Sequence, residues 1–227
     1  MSKNLFITGT GTDVGKTFVT GLIIKKLQEA GKNPSYYKAA MSGNKRRKDG
    51  SLIPGDALWV KETAGISQPL EEMCPYIYEH AYSPHLASRI EGNPVCMEVV
   101  RKGFDKVSEK YDYVTMEGSG GILCPICFDE TKIQLEDVIK ELSLPSIVIA
   151  DAGLGNINSV VLTVEYMKAR QMPVKGLIFN HYHSGDIMEE DNKKMCEYMT
   201  GLPVLACVKD GDNSLDIDLD VLIGLYE

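Results

Sequence analysis

The chain has 227 residues, 44% hydrophobic and 25% charged, enough for one domain with a sizeable core. Its formal net charge of −8 argues against a general affinity for nucleic acid or an anionic membrane. Met1 to Thr8 does not read as a targeting segment, no apolar run is long enough to cross a bilayer, and the scattered cysteines read as reduced cytoplasmic thiols.

In chain order, Leu5 to Thr8 reads as a short strand that stops at glycine, and Lys16 to Ala30 as a helix. That helix carries Val19, Leu22, Ile23 and Leu27 on one face and ends at Gly31. Ser35 to Ala40 reads as a second strand. Lys45, Arg46, Arg47 and Lys48, followed by Asp49-Gly50, read as a solvated loop rather than a phosphate patch. Asp56 to Ala64 reads as a short helix, with Asp56 after a Pro-Gly turn as its N-cap. Tyr111 to Met116 is an apolar strand ending at Glu117-Gly118. Cys124-Pro125-Ile126-Cys127 is a lone C-x-x-C; without a second pair or suitably spaced histidines, structural thiols are expected. Ser146 to Ala150 is wholly apolar, as in a sheet covered on both faces. Val160 to Ala169 reads as a helix. Gly176 to Phe179 and Pro203 to Val208 read as strands, with a helix around Glu189 to Met199 between them. His181-Tyr182-His183 would set two rings on one side of an extended strand, but no third metal ligand accompanies them.

Strands alternating with helices imply right-handed crossovers and an α/β fold: a parallel β-sheet flanked by helices, with residues 1–227 as a single domain. Ligands of such sheets sit at the carboxyl ends of the strands. The Gly9 loop, Lys38, Glu117, Asp151 and Asn180 all fall there.

Gly9-Thr10-Gly11-Thr12-Asp13-Val14-Gly15-Lys16-Thr17 follows a strand and opens a helix, the context of a P-loop. Small residues let backbone N–H groups turn inward around phosphate oxygens, and the helix start adds the positive end of its dipole. Lys16 supplies a point charge to the outer phosphates and Thr17 a hydroxyl to magnesium. The usual spacing would put the first glycine at position 10; here it is at 9, one residue farther from Gly15. The guanine-reading N-K-x-D pattern is missing after Ile178-Phe179, where Asn180-His181-Tyr182-His183 stands, so ATP is expected over GTP. Lys38 and Glu117 end strands that face the loop, and an acid at such a place suits a magnesium ligand.

Further motifs follow in order: Tyr37-Lys38 with Ser42-Gly43, Asp56-Ala57-Leu58, Ser83-Pro84-His85, Glu117-Gly118-Ser119-Gly120-Gly121 and Gly153-Leu154-Gly155-Asn156-Ile157-Asn158. With the loop they make the chain resemble the dethiobiotin synthetases, over nearly its whole length. The extra loop residue is a feature of that family. The resemblance implies a P-loop NTPase-like fold and a homodimer. It also implies ATP-dependent closure of a ureido ring on 7,8-diaminononanoate with CO2, by way of a phosphorylated carbamate. By the same resemblance Thr12, Asp13, Val14, Gly15, Lys16 and Thr17 cradle the phosphates. Phe18, Asp56, Glu117, Gly118, Ser119, Gly120, Asn180 and His181 complete the nucleotide site, with Asn180 at the adenine. Thr17, Asp56 and Glu117 surround magnesium, and Lys16 and Lys38 are the catalytic cations. Lys38 and Ser42 meet the substrate, joined across the dimer by Gly153, Leu154 and Asn158. Two positions depart from the family pattern: Ala39 where proline commonly follows the lysine, and Val208-Lys209-Asp210 where a proline commonly lies near the adenine. A partitioning-type switch ATPase is the main rival, but it would carry a second lysine early in the loop, and positions 9 to 14 hold none. An amide synthetase of the cobyrinate type would need a fused glutamine-using domain, for which the chain is too short. A nucleotide-binding module without turnover is the third alternative.

Overall fold

The structure is a computed structural model, and it describes residues 2–227. The elements run β1 (Lys3–Gly9), α1 (Lys16–Glu29), β2 (Pro34–Lys38), β3 (Ala40–Met41), α2 (Gly55–Ala64), β4 (Tyr76–Ile77), α3 (Pro84–Ile90), α4 (Met97–Lys110) and β5 (Tyr113–Glu117). They continue with β6 (Pro125–Phe128), β7 (Lys132–Gln134), α5 (Leu135–Glu141), β8 (Ser146–Asp151), α6 (Asn156–Ala169), β9 (Val174–Asn180), α7 (Ile187–Thr200), β10 (Val204–Cys207) and α8 (Leu219–Gly224).

Six strands form one parallel sheet in the order β10-β9-β8-β1-β5-β2. The chain first builds outward from β1 to β2, slots β5 between them, and then crosses to the other side for β8, β9 and β10. That change of direction opens a crevice at the carboxyl end of β1, the usual ligand position of an open α/β sheet. Strand alternation explains the unbroken apolar runs. Leu5, Ile7, Ile147 and Ile149 pack on one face with Leu22, Ile23 and Leu27 of α1. Phe6, Val148 and Ala150 pack on the other face with Val160 and Val164 of α6 and Phe104 of α4. Both faces are covered, so the strands are mostly apolar on each side, with only small polar residues such as Thr8 and Thr115 buried among them.

The predicted strand at Ser35 to Ala40 divides in two. Lys38 is the last residue paired with β5, opposite Glu117, while Ala40 and Met41 pair with Tyr76 and Ile77 in a separate ladder. Asp56 is not the N-cap of its helix: Pro54 holds that place, and the Asp56 carboxylate is taken by the Lys38 ammonium at 2.6 Å. α6 starts at Asn156, four residues before Val160, because a left-handed Gly155 opens it ahead of the apolar stripe. His181 and His183 do not share an extended strand. β9 ends at Asn180 and His181 turns left-handed (φ 55°), so the rings diverge toward Asp151 and Glu189. Five helices and strands between Pro84 and Glu141 lie outside the expected elements, although Val100, Phe104 and Val107 of α4 are spaced as a buried helical stripe. The basic run is exposed and forms a small hairpin, with Arg47 N donating to Ser51 O at 2.7 Å.

Candidate nucleotide and substrate site

Once Thr10 N has closed onto Ile149 O at 3.0 Å, the loop from Gly11 to Thr17 is built to leave its amides free. Asp13 and Gly15 both take left-handed backbone (φ 63° and 82°), which turns successive N–H groups the same way. Gly15 is required twice: for its φ, and because a Cβ there would lie 2.0 Å from Asn180 Nδ2. That amide donates to Val14 O at 3.3 Å, so Asn180 supports the loop from below, while its Oδ1 is buried without a partner. α1 then begins with no side-chain cap and no acid in its first turn, so its first N–H groups remain open to an anion. Lys16 Nζ folds back to donate to Gly11 O at 2.7 Å. Burial lowers the Lys16 pKa, countered by the charge of Glu117.

Across the crevice one carboxylate organises the charges. Glu117 is 1% exposed and accepts three hydrogen bonds. Its Oε1 receives Thr17 Oγ1 at 2.9 Å and Lys38 Nζ at 2.6 Å, and its Oε2 receives the Tyr36 hydroxyl at 3.1 Å. Lys38 also donates to Asp56 Oδ2. Burial alone would depress the Lys38 pKa, but Glu117 and then Asp56 outweigh it and raise it, so the ammonium is held. Burial, then the Glu117 charge, pushes the Tyr36 phenol far above its ordinary range, so its hydroxyl stays a donor. Thr17, Asp56 and Glu117 together form a hard-oxygen donor set of the kind a small divalent cation takes.

These groups enclose a cleft of about 460 Å³ lined by Thr12, Asp13, Gly15, Lys16, Thr17, Lys38, Ser42, Asp56, Glu117 and Gly120. Three larger hollows, of about 650, 620 and 610 Å³, lie beside α4 and hold none of the loop, so volume alone does not mark the site. Of the other expected residues, Val14 is buried under the loop and Phe18 packs on Trp59 with ring centroids 5.6 Å apart. Gly118 N donates to Ile7 O and Ser119 Oγ to Ala40 O, which ties the strand end of β5 to its neighbours. His181 Nδ1 sits 2.7 Å from Asp151 Oδ2, beside Asn180. Gly153, Leu154 and Asn158 stand at the start of α6 and do not line this chain's own cleft. Cys124 is half-buried and close to Gly120, whereas Cys127 is buried in β6. Tyr36 was missed by sequence reasoning. The available signal was its place two residues before Lys38, on the same face of the strand.

A family model described as an AAA domain matches residues 3–214. The chain is 50% identical to the ATP-dependent dethiobiotin synthetase BioD of Brachyspira hyodysenteriae, over 95% of this chain and 96% of that relative. It is 47% identical to the protein of that name from Clostridium botulinum strain Loch Maree, over 100% and 99%, and 46% identical to that of Clostridium perfringens, over 98% and 97%. Among solved structures it resembles the MinC:MinD cell division complex of Aquifex aeolicus (TM-score 0.58, 11% identity, 99% of this chain and 86% of that one). It also resembles chloroplast FtsY of Physcomitrella patens (TM-score 0.53, 16% identity, 99% and 65%). The two structural likenesses carry the fold, and the full-length sequence identities carry the family. With its P-loop, its opposed lysine and its strand-end glutamate, this chain belongs to the ATP-dependent dethiobiotin synthetases.

Proposed function

We propose that the cleft closes the ureido ring of dethiobiotin from 7,8-diaminononanoate, CO2 and ATP through a phosphorylated carbamate, with residues 1–227 acting as one cytoplasmic domain. The observation that carries this reading is the Lys38 ammonium, buried between Asp56 and Glu117 and facing the P-loop. A carbamate is an anion and a poor electrophile, so its oxygen must become a leaving group. Bringing that anion to a triphosphate is repulsive: unit charges at contact interact by about 4 kcal/mol at an effective dielectric near 20. Lys16 on one side and Lys38 on the other supply the opposing charge, already oriented, as negative charge moves toward the departing ADP. The open amides of the loop and of α1 hold the phosphates in line.

The donor set fits magnesium, because Thr17, Asp56 and Glu117 offer hard oxygens and the two carboxylates already converge on one cation, the Lys38 ammonium. Magnesium, when bound, neutralises phosphate charge. Ring closure by the neighbouring amine is intramolecular, and well-oriented groups gain effective molarities on the order of 10⁵ M or more. The chain's remaining task is to hold the diamine.

The start of α6 supports that task. Gly155 is left-handed (φ 89°), and the helix has neither side-chain cap nor acid in its first turn. Both amide atoms of Asn156 are buried without partners. Such a terminus suits the carboxylate tail of the diamine. Since Gly153, Leu154 and Asn158 lie outside their own chain's cleft, a second copy would supply them. Leu154 and Leu162, 91% and 63% exposed on this segment, favour a homodimer that covers them.

The test is phosphate release from magnesium-ATP with one component omitted at a time. Release that needs both the diamine and bicarbonate is the expected result. Equal hydrolysis without the diamine would overturn the ligase reading and favour a switch ATPase.

A further inference from the structure

The tyrosine pair of β2 divides its work between two faces. Successive side chains of a strand point oppositely, so Tyr36 and Lys38 share the face of Glu117 while Tyr37 turns away. Register agrees: Tyr36 lies opposite Thr115 and Lys38 opposite Glu117 of β5. Tyr37 donates its hydroxyl to Val100 O at 2.8 Å and so anchors α4. Tyr36 donates to Glu117 Oε2 at 3.1 Å. Both tyrosines are buried, but only one touches the charged cleft.

The hydroxyl of Tyr36 has a distinct geometric task. The other two donors to Glu117, from Thr17 and Lys38, both meet Oε1. Two bonds on Oε1 hold that oxygen alone, and the carboxylate can still pivot about it through the torsions of its stem. A donor on Oε2 removes that pivot and gives the second buried oxygen its partner. Tyr36 is fully buried and Glu117 nearly so, which shields this bond from solvent.

β2 is the edge strand, so its own register needs support from outside the sheet. Gln68 gives it. Its Oε1 accepts from Tyr36 N at 2.8 Å and its Nε2 donates to Tyr36 O at 3.0 Å. One buried side-chain amide thus replaces a missing neighbouring strand at the residue whose direction matters. A slip by one residue would send Tyr36 to the α4 side and Tyr37 to the cleft.

We propose that Tyr36 is a positioning residue for the metal–nucleotide site: its hydroxyl fixes the plane of the Glu117 carboxylate, and the Gln68 amide fixes the register that delivers it. The proposal rests on the reading that Glu117 serves the metal.

The test uses the full-length chain and a fluorescent ATP analogue titrated at a series of magnesium concentrations, and again with magnesium chelated. Tyr36→Phe is expected to need about 10-fold more magnesium for half-maximal tight binding, as loss of a partner behind a metal ligand does, with unchanged binding in chelator. Tyr37→Phe removes the same atom from the opposite face. It is expected to lower Tm while following the wild-type magnesium curve. A Tyr36→Phe curve that overlays wild type overturns the proposal, and so does an equal shift in both variants, which would mark a general packing effect. Should Tyr36→Phe fail to fold, Gln68→Met carries the test: a raised magnesium requirement supports the proposal and an unmoved one overturns it. Glu117→Gln separates the two levels. If that change leaves the magnesium curve in place, the metal reading itself fails; if it moves the curve and Tyr36→Phe does not, only the role of Tyr36 fails.

Discussion

Four helix starts invite comparison, two of them open and two closed. α7 and α8 begin at Asp186 and Asp218, each of which accepts two backbone N–H groups of the first turn. α1 and α6 begin at left-handed glycines, and among the described helices of eight or more residues they alone have neither a side-chain cap nor an acid in the first turn. α7, like α1 and α6, follows the carboxyl end of a sheet strand, so position does not explain the difference. What differs is the use of the amides: closed ends satisfy themselves, and open ends keep charge-binding capacity in reserve. The two open ends differ in turn. That of α1 is surrounded by its own chain's Lys16, Thr17 and Glu117, whereas that of α6 has exposed Leu154 and an unpartnered buried amide beside it.

The comparison is sharpest where charge matters most. Lys38→Ala should cut turnover by about 10²-fold or more while nucleotide still binds, as expected for a cation acting in the transition state; rates close to wild type in steady-state assays would remove Lys38 from the chemistry. Next come the paired glycines. Gly15→Ala places a methyl against Asn180 as well as straining the backbone, so nucleotide affinity should drop by about 10-fold or more in direct titration. Gly155→Ala meets open space and suffers only the backbone strain. It should leave nucleotide affinity alone and raise the KM for the diamine by a few fold. If both glycine variants lose nucleotide, the two open ends do not divide the ligands. Removing the closed caps should do least to function: Asp186→Ala and Asp218→Ala should each lose about 1 kcal/mol by denaturant unfolding with turnover unchanged. A large loss of activity in either would show that the closed ends are not merely structural.

The open end of α1 was legible in the sequence because strand, glycines, Gly-Lys-Thr and helical stripe are contiguous. The strand ends at Lys38 and Glu117 were legible for a similar local reason: each closes an apolar run. Tyr36 was not, since its role depends on β5 entering between β1 and β2, which pairs residues some eighty positions apart. Asp56 misled for the same reason. Its local setting reads as a cap, and only the packing of α2 against β2 delivers its carboxylate to Lys38. The α6 start was named through family likeness, yet its helix was begun too late, because Asn156-Ile157-Asn158 carries no apolar periodicity. The β6–β7 hairpin and α3 are short, and their burial comes from distant partners rather than from a pattern of their own.

The Gln68 amide has a consequence for the crowd around the molecule as well as for the cleft within it. An edge strand offers an unfilled row of donors and acceptors on which a stray chain can grow by sheet continuation. On β2 that row is taken: Gln68 occupies both groups of Tyr36, and Met73 O receives Lys38 N. This side of the sheet is therefore sealed against recruitment, and a second copy that meets it must do so through helices and side chains rather than by extending the sheet from β2.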